Sequence, residues 1–118
     1  MREPPAIDAY GGGGFRVAGV WRPGSLLILA DEPRAWRPPA FADLTPEDFD
    51  DVLAVPRGAV EFVLLGTGPA QALPSRAVRD RLRGAGLGLE FMATEAAART
   101  HNVLASQGRL FATALIAV

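Results

Sequence analysis

Apolar and polar positions along this chain follow two periods. Phe15, Val17 and Gly19 alternate with Arg16 and Ala18, a period of two that predicts a half-buried strand. Arg22-Pro23-Gly24-Ser25 reads as a turn, and Ser25 to Ala30 as a second strand, hairpin-paired with the first. Val60 to Leu65 is almost continuously apolar, as in a strand covered on both faces. Leu87 to Met92 and Arg109 to Val118 supply the fourth and fifth strands.

Helical spacing fills the gaps between the later strands. Thr45 is a suitable N-cap, Pro46 suits the first helical position, and Asp48 stands where a capping-box acid belongs. Leu44 and Phe49 have the spacing of a hydrophobic staple, and Phe49, Val52 and Leu53 give this first helix its buried stripe. Ser75 caps a second helix that turns Val78, Leu82 and Ala85 inward, and Gly84 and Gly86 close it. Thr94 caps a third, running to about Gln107, with Ala96, Ala97, Thr100, Val103 and Leu104 on one face. Asp31 to Ala42 carries Pro33, Pro38 and Pro39 and reads as a loop anchored by Trp36. Gly11 to Gly14 is a flexible break, and residues 1–6 read as a frayed arm. The expected order is β-β-α-β-α-β-α-β, an α/β fold with right-handed crossovers, forming one domain over residues 1–118.

Composition narrows the chemistry this fold can carry. All 12 basic residues are Arg, and there is one His and no Cys. That excludes disulfides, thiol nucleophiles and the Walker loop, which needs Lys, and leaves no ligand set for structural zinc. A net charge of -1 argues against nucleic acid as a partner. The acids Glu47, Asp48, Asp50 and Asp51 could hold magnesium, but acids in a first turn ordinarily complement the helix dipole. No metal or cofactor is therefore expected. Serine catalysis would depend on His101, which the helical wheel sets at the solvent-lapped border of an apolar face. No apolar run approaches the roughly 18–20 residues of a membrane span, and the N-terminus resembles no targeting peptide, so the cytoplasm is the expected compartment.

Two surfaces stand out. Gly66-Thr67-Gly68 ends a strand and Thr94 follows the next, so parallel strands would bring them to one sheet edge, where free amides suit a small anion. The alternative for the glycines is a tight turn needing positive φ. On the helices, Arg76, Arg79 and Arg83 share one face, and Glu95 and Arg99 are spaced i,i+4 with Asn102 beside them. Each set is either an ordinary solvated face or part of a partner surface.

An ordered set of residues carries a resemblance. It comprises Ile7-Asp8-Ala9-Tyr10, Gly14-Phe15, Gly19, Trp36, Leu44 to Phe49 and Glu61 to Gly68. It continues with Gly86, Glu90, Thr94, Arg99 to Leu104, Gly108-Arg109 and Ala114 to Ile116. This set resembles the small bacterial and archaeal domain-of-unknown-function family whose mitochondrial member is a complex I assembly factor, the third so numbered. His101 and Gln107 depart from it, standing where an aromatic residue and Glu are common. The resemblance implies a three-layer sandwich with a mixed five-stranded central sheet, the last strand antiparallel to the others. It transfers no catalytic residue and implies a protein partner in respiratory complex assembly.

The expected function is a non-enzymatic interaction domain, with Gly66, Thr67, Gly68, Arg99 and Asn102 in the partner surface. The alternative is a small-anion or metabolite-binding domain, or cryptic enzyme, using the crevice at Gly66 to Gly68 and Thr94. Oligomeric state is not legible.

Overall fold

The computed structural model describes residues 4–118. Half of the expected N-terminal arm, residues 1–3, lies outside them. The other half is not frayed: the Pro5 carbonyl accepts a hydrogen bond from His101, and the Ala6 carbonyl one from the Ala18 amide.

The chain opens with a meander. Strands β1 (Ile7–Gly11), β2 (Gly14–Val17) and β3 (Val20–Pro23) form a small antiparallel sheet. Strands β4 (Ser25–Leu29) and β5 (Glu32–Trp36) are the next hairpin. Three of these hairpins turn on two-residue loops, Gly12-Gly13, Ala18-Gly19 and Ala30-Asp31, with φ positive at both residues. That is the backbone of type I′ turns, whose twist matches the strands they join. The sequence shows the glycines of the first loop, but Ala30-Asp31 lacks the usual Asn-Gly signal. Pro33 also reads as a breaker, so β5 was expected as loop. Pro is tolerated there because β5 is an edge strand.

A short 3-10 turn (Pro46–Phe49) leads into helix α1 (Asp50–Ala54), and strand β6 (Phe62–Gly66) follows. The Thr45 amide donates to Asp48 Oδ2 at 2.8 Å, and the expected capping box is present. Helix α2 (Arg76–Gly84), strand β7 (Gly88–Met92), helix α3 (Thr94–Ser106) and strand β8 (Phe111–Leu115) complete the fold. The Ser75 hydroxyl caps α2 by accepting from the Val78 amide at 3.2 Å.

The central sheet has five strands in the order β5-β4-β8-β6-β7. It is mixed, as expected, but the odd strand is β4. The last strand, β8, runs parallel to β6 and antiparallel to β4. Nor does β4 pair with the Phe15 strand; its partners are β5 and β8.

Alternating residues of the inner strands serve two cores. Leu27, Leu29, Val63, Leu65, Ala112 and Ala114 pack with Phe49 and Val52 of the α1 segment and with Val78 and Leu82 of α2. Leu26, Ile28, Phe62, Leu64, Phe111 and Leu115 pack on the other face with Ala97 and Ala98 of α3 and with Ile7, Phe15 and Val17 of the small sheet. The sheet is thus the middle of three layers, and its inner strands are almost wholly apolar because both faces are covered, with Ser25 and Thr113 the buried polar exceptions.

Helix α3 is rotated from its expected setting. Thr94, Ala97, Ala98 and His101 are buried, whereas Val103 is 56% exposed. Ala93, not Thr94, is the N-cap residue.

Candidate functional site

The parallel pairing of β6 and β7 brings Gly66, Thr67, Gly68 and Thr94 to one edge, as the sequence suggested. Their polar groups are consumed there by the fold. The Thr67 amide donates to the Met92 carbonyl at 2.8 Å, and the Gly68 amide to Thr94 Oγ1 at 2.9 Å. The Thr94 amide donates to the Gly68 carbonyl at 2.9 Å, and its hydroxyl to the Ile116 carbonyl at 2.8 Å. The Thr67 hydroxyl donates to the Ala70 carbonyl at 2.7 Å and accepts from the Ala72 amide at 3.1 Å. Thr67 and Thr94 are buried. The amides expected to receive an anion are therefore engaged, and this cluster fastens the start of α3 to the ends of β6 and β8.

The two glycines have different reasons. Gly68 has φ +103°, the conformation expected of a tight turn. Gly66 is needed for close approach: a Cβ there would lie 2.8 Å from Leu115 Cδ2 and 2.9 Å from Thr94 Oγ1.

Arg99 and Asn102 lie farther along α3, away from the Thr94 end, and both meet β1. Asn102 clasps one residue twice. The Ile7 amide donates to its Oδ1 and its Nδ2 donates to the Ile7 carbonyl, each at 2.9 Å. This side chain pairs the outer edge of β1 as a neighbouring strand would. Arg99 is exposed, with Nη1 3.0 Å from Glu95 Oε1 and 3.5 Å from the Tyr10 hydroxyl. Hydrogen bonding to Tyr10, then to Arg99, holds the Glu95 carboxyl below its usual range, and the Glu95 bond raises the Tyr10 phenol. The triad is a charged, solvent-facing junction between α3 and the small sheet.

His101 is 1% exposed, not solvent-lapped. Its Nε2 donates to the Pro5 carbonyl at 2.8 Å, which leaves Nδ1 to accept from the Thr113 hydroxyl at 2.7 Å. Both ring nitrogens are thus occupied away from any serine. Burial is the main influence on the imidazole and pushes its pKa below the ordinary value. The acids of the first helix also disperse. Asp48 pairs with Arg37, Asp50 with Arg81 and Asp51 with Arg34. Among the described residues no group of carboxylates and His gathers at metal-binding distance. The α2 arginines diverge as well: Arg76 pairs with Asp80 at 3.7 Å, and Arg79 Nε donates to the Pro74 carbonyl at 3.0 Å.

Sequence reasoning missed the exposed apolar side chains. Tyr10, Val20, Trp21, Leu73 and Val103 are the large ones left in solvent among the described residues. Four of these five, all but Leu73, belong to the layer built from α3 and the small sheet. Trp21 is 48% exposed, and its ring crosses Gly14, where a Cβ would lie 2.8 Å from Trp21 Cζ2. The conjunction of Gly14 and Trp21 across β2 and β3 was a usable signal only once the second hairpin was known. No helix among the described residues is long and apolar enough to cross a membrane.

Comparisons with known proteins place this geometry in a family. The chain is 37% identical over 112 residues to an uncharacterized protein of Rhodobacter capsulatus, covering 93% of this chain and 82% of that one. It is 32% identical over 120 residues to the bovine NADH dehydrogenase [ubiquinone] 1 alpha subcomplex assembly factor 3, covering 98% of this chain. It spans only 64% of that bovine protein and 59% of the human one. A crystal structure from Bartonella henselae, described as an outer membrane protein, superposes with a TM-score of 0.85 at 35% identity, covering 98% of this chain and 96% of that one. The family described as protein of unknown function (DUF498/DUF598) matches residues 7–116, and the chain belongs to it.

Proposed function

We propose that this chain is a protein-interaction domain, rather than an enzyme, that assists assembly of a respiratory or membrane-associated complex. Its partner surface lies on the layer formed by α3 and the three-stranded sheet. The observation that carries this reading is the concentration of exposed Tyr10, Val20, Trp21 and Val103 in that one layer, with Arg99 among them. Exposed aromatic and Arg side chains are the usual anchors of protein interfaces. The similarity to the bovine and human assembly factors supplies the class of partner. Of the residues expected from sequence, Arg99 and Asn102 lie in this layer. Gly66, Thr67, Gly68 and Thr94 serve the reading indirectly, by fixing the origin of α3. The protein is read as cytoplasmic, meeting its complex from the aqueous side, with neither nucleic acid nor cofactor involved.

The metabolite-binding alternative draws no support from the strand-end edge, where the Thr67, Gly68 and Thr94 amides already have partners. The test is affinity purification of the tagged full chain from its native host. Respiratory-complex subunits or their assembly proteins should be enriched with the wild type. They should be lost with the double substitution Trp21→Ala and Arg99→Glu, whose thermal unfolding stays within a few degrees of wild type. Absence of such proteins under conditions that recover transient complexes, or equal recovery with the variant, overturns the proposal.

A further inference from the structure

The opposite layer holds a cavity of about 640 Å3 at the other end of the sheet, between the end of α1, the segment that follows it and the end of α2. Val52, Leu53, Val55, Val60 and Leu87 supply apolar lining, and the polar side chains on its wall are Arg57, Glu61 and Arg83. Ligand pockets commonly range over roughly 300–1,000 Å3 and pair apolar walls with a few polar groups.

Two rigid glycine turns hold the arginines. The segment Pro56 to Ala59 is a turn closed by the Ala59 amide on the Pro56 carbonyl at 3.0 Å, with Gly58 at φ +89° and Arg57 at its second position. Helix α2 ends in a Schellman motif. The Leu87 amide donates to the Leu82 carbonyl at 3.0 Å, and the Gly86 amide to the Arg83 carbonyl at 2.9 Å, with Gly86 at φ +77°. Leu87 packs on the core cluster that includes Leu82, which secures the motif. The carbonyls of Arg81, Leu82 and Arg83 are consequently satisfied by the chain itself, so this helix end offers little to a cation.

The side chains tell the complementary story. Among the described residues, Arg57, Arg83 and Glu61 have no side-chain hydrogen bond or ion pair, although most other arginines are engaged. Glu61 is fixed by its backbone alone: its amide donates to the Leu110 carbonyl and its carbonyl accepts from the Gly88 amide. The unmatched charge around this pocket of mixed polar and apolar lining is therefore two guanidiniums against one carboxylate. Arg binds a carboxylate through paired N–H donors, and Glu61 disfavours a second negative charge on the ligand.

We infer that this cavity binds an amphipathic monocarboxylate, its apolar body over Val52, Leu53, Val55, Val60 and Leu87 and its carboxylate against Arg57 and Arg83. The site is independent of the partner-facing layer, which lies across the sheet.

The test uses the full chain, decanoate below its micellar concentration, and backbone amide NMR. Saturable shifts should map to residues 52–61 and 83–87. Decanol and methyl decanoate should bind at least about tenfold more weakly, the loss expected when a charge-assisted bond is removed. The double substitution Arg57→Gln and Arg83→Gln should weaken decanoate binding by a similar factor, and Glu61→Gln should tighten it. All three positions are exposed, so the variants should keep the wild-type spectrum elsewhere. No saturable shifts, shifts confined to Trp21 and α3, or equal binding by the double variant and by decanol would overturn the inference.

Discussion

His101 joins three distant segments with one ring: α3 itself, Thr113 in β8 and Pro5 in the N-terminal arm. Its replacement by Ala removes both bonds, leaves the Thr113 hydroxyl buried and opens a cavity. The expected cost is about 2–4 kcal/mol, read as a lowered urea midpoint. The pH dependence has a definite sign. Burial, opposed by the Pro5 bond and the charge of Asp31, depresses the folded pKa below the ordinary 6.5. The folded state thus binds the proton less well than the unfolded one. The stability contribution is complete above pH 6.5 and is lost as the pH falls through the folded value. Urea midpoints measured from pH 7.5 downward should fall in that window, and those of His101→Phe should be flatter there. Asp48 titrates in a separate, more acidic window. Arg37 first, then the Thr45 amide and hydroxyl, hold its carboxyl below 3.8, so its contribution is lost only below that pH.

Gly66 gives a second residue-scale contrast. Gly66→Ala sets a Cβ 3.0 Å or less from Leu115 and Thr94 atoms and should cost about 1–3 kcal/mol by chemical denaturation. Gly84→Ala is the matched control, because a Cβ there meets nothing within 4 Å and α2 gains a better helix former. It should be neutral or slightly stabilising.

At the scale of elements, the chain shows which signals survive without tertiary context. The covered strand at Val60 to Leu65, the capped starts of the α1 segment and α2, and the Gly86 stop of α2 were all legible. Each is set by neighbours a few residues away. Strand β5 was not, because Ala30-Asp31 adopts positive φ without an Asn-Gly signature and because an edge strand can tolerate Pro33. The setting of α3 was misread for a related reason. Ala96 and Ala98 are equally apolar, and only the fit of Ala97, Ala98 and His101 against Phe62, Leu64 and Phe111 decides which turns inward. Of the candidate site, the meeting of Gly66 to Gly68 with Thr94 followed from parallel topology. That their amides would be satisfied by one another depends on Ile116 and Met92 and is not visible in local sequence. Asn102 is the element-scale test. Asn102→Ala strips both bonds from Ile7 and exposes the outer edge of β1. Hydrogen exchange should show the Ile7 amide losing most of its protection, at a global cost of about 1–2 kcal/mol, while β6 amides keep theirs.

At the scale of the whole molecule, one sheet separates two surfaces of different character. The α1 and α2 layer has much of its charge paired, through Asp48, Asp50, Asp51 and Asp80, and its free guanidiniums gather at a cavity. The α3 layer instead leaves Tyr10, Val20, Trp21 and Val103 in solvent. The proposed binding function rests on that asymmetry rather than on any residue that could do chemistry. Site-specific photocrosslinking in the native host tests it most directly, with the photoreactive group placed in turn at Trp21, at Val103 and at Ala77 on the exposed side of α2. Crosslinks to respiratory-complex or assembly proteins are expected from Trp21 and Val103 and not from Ala77. Crosslinks from Ala77 alone, equal crosslinking from all three positions, or none to such proteins would contradict the assignment of the α3 layer as the partner surface.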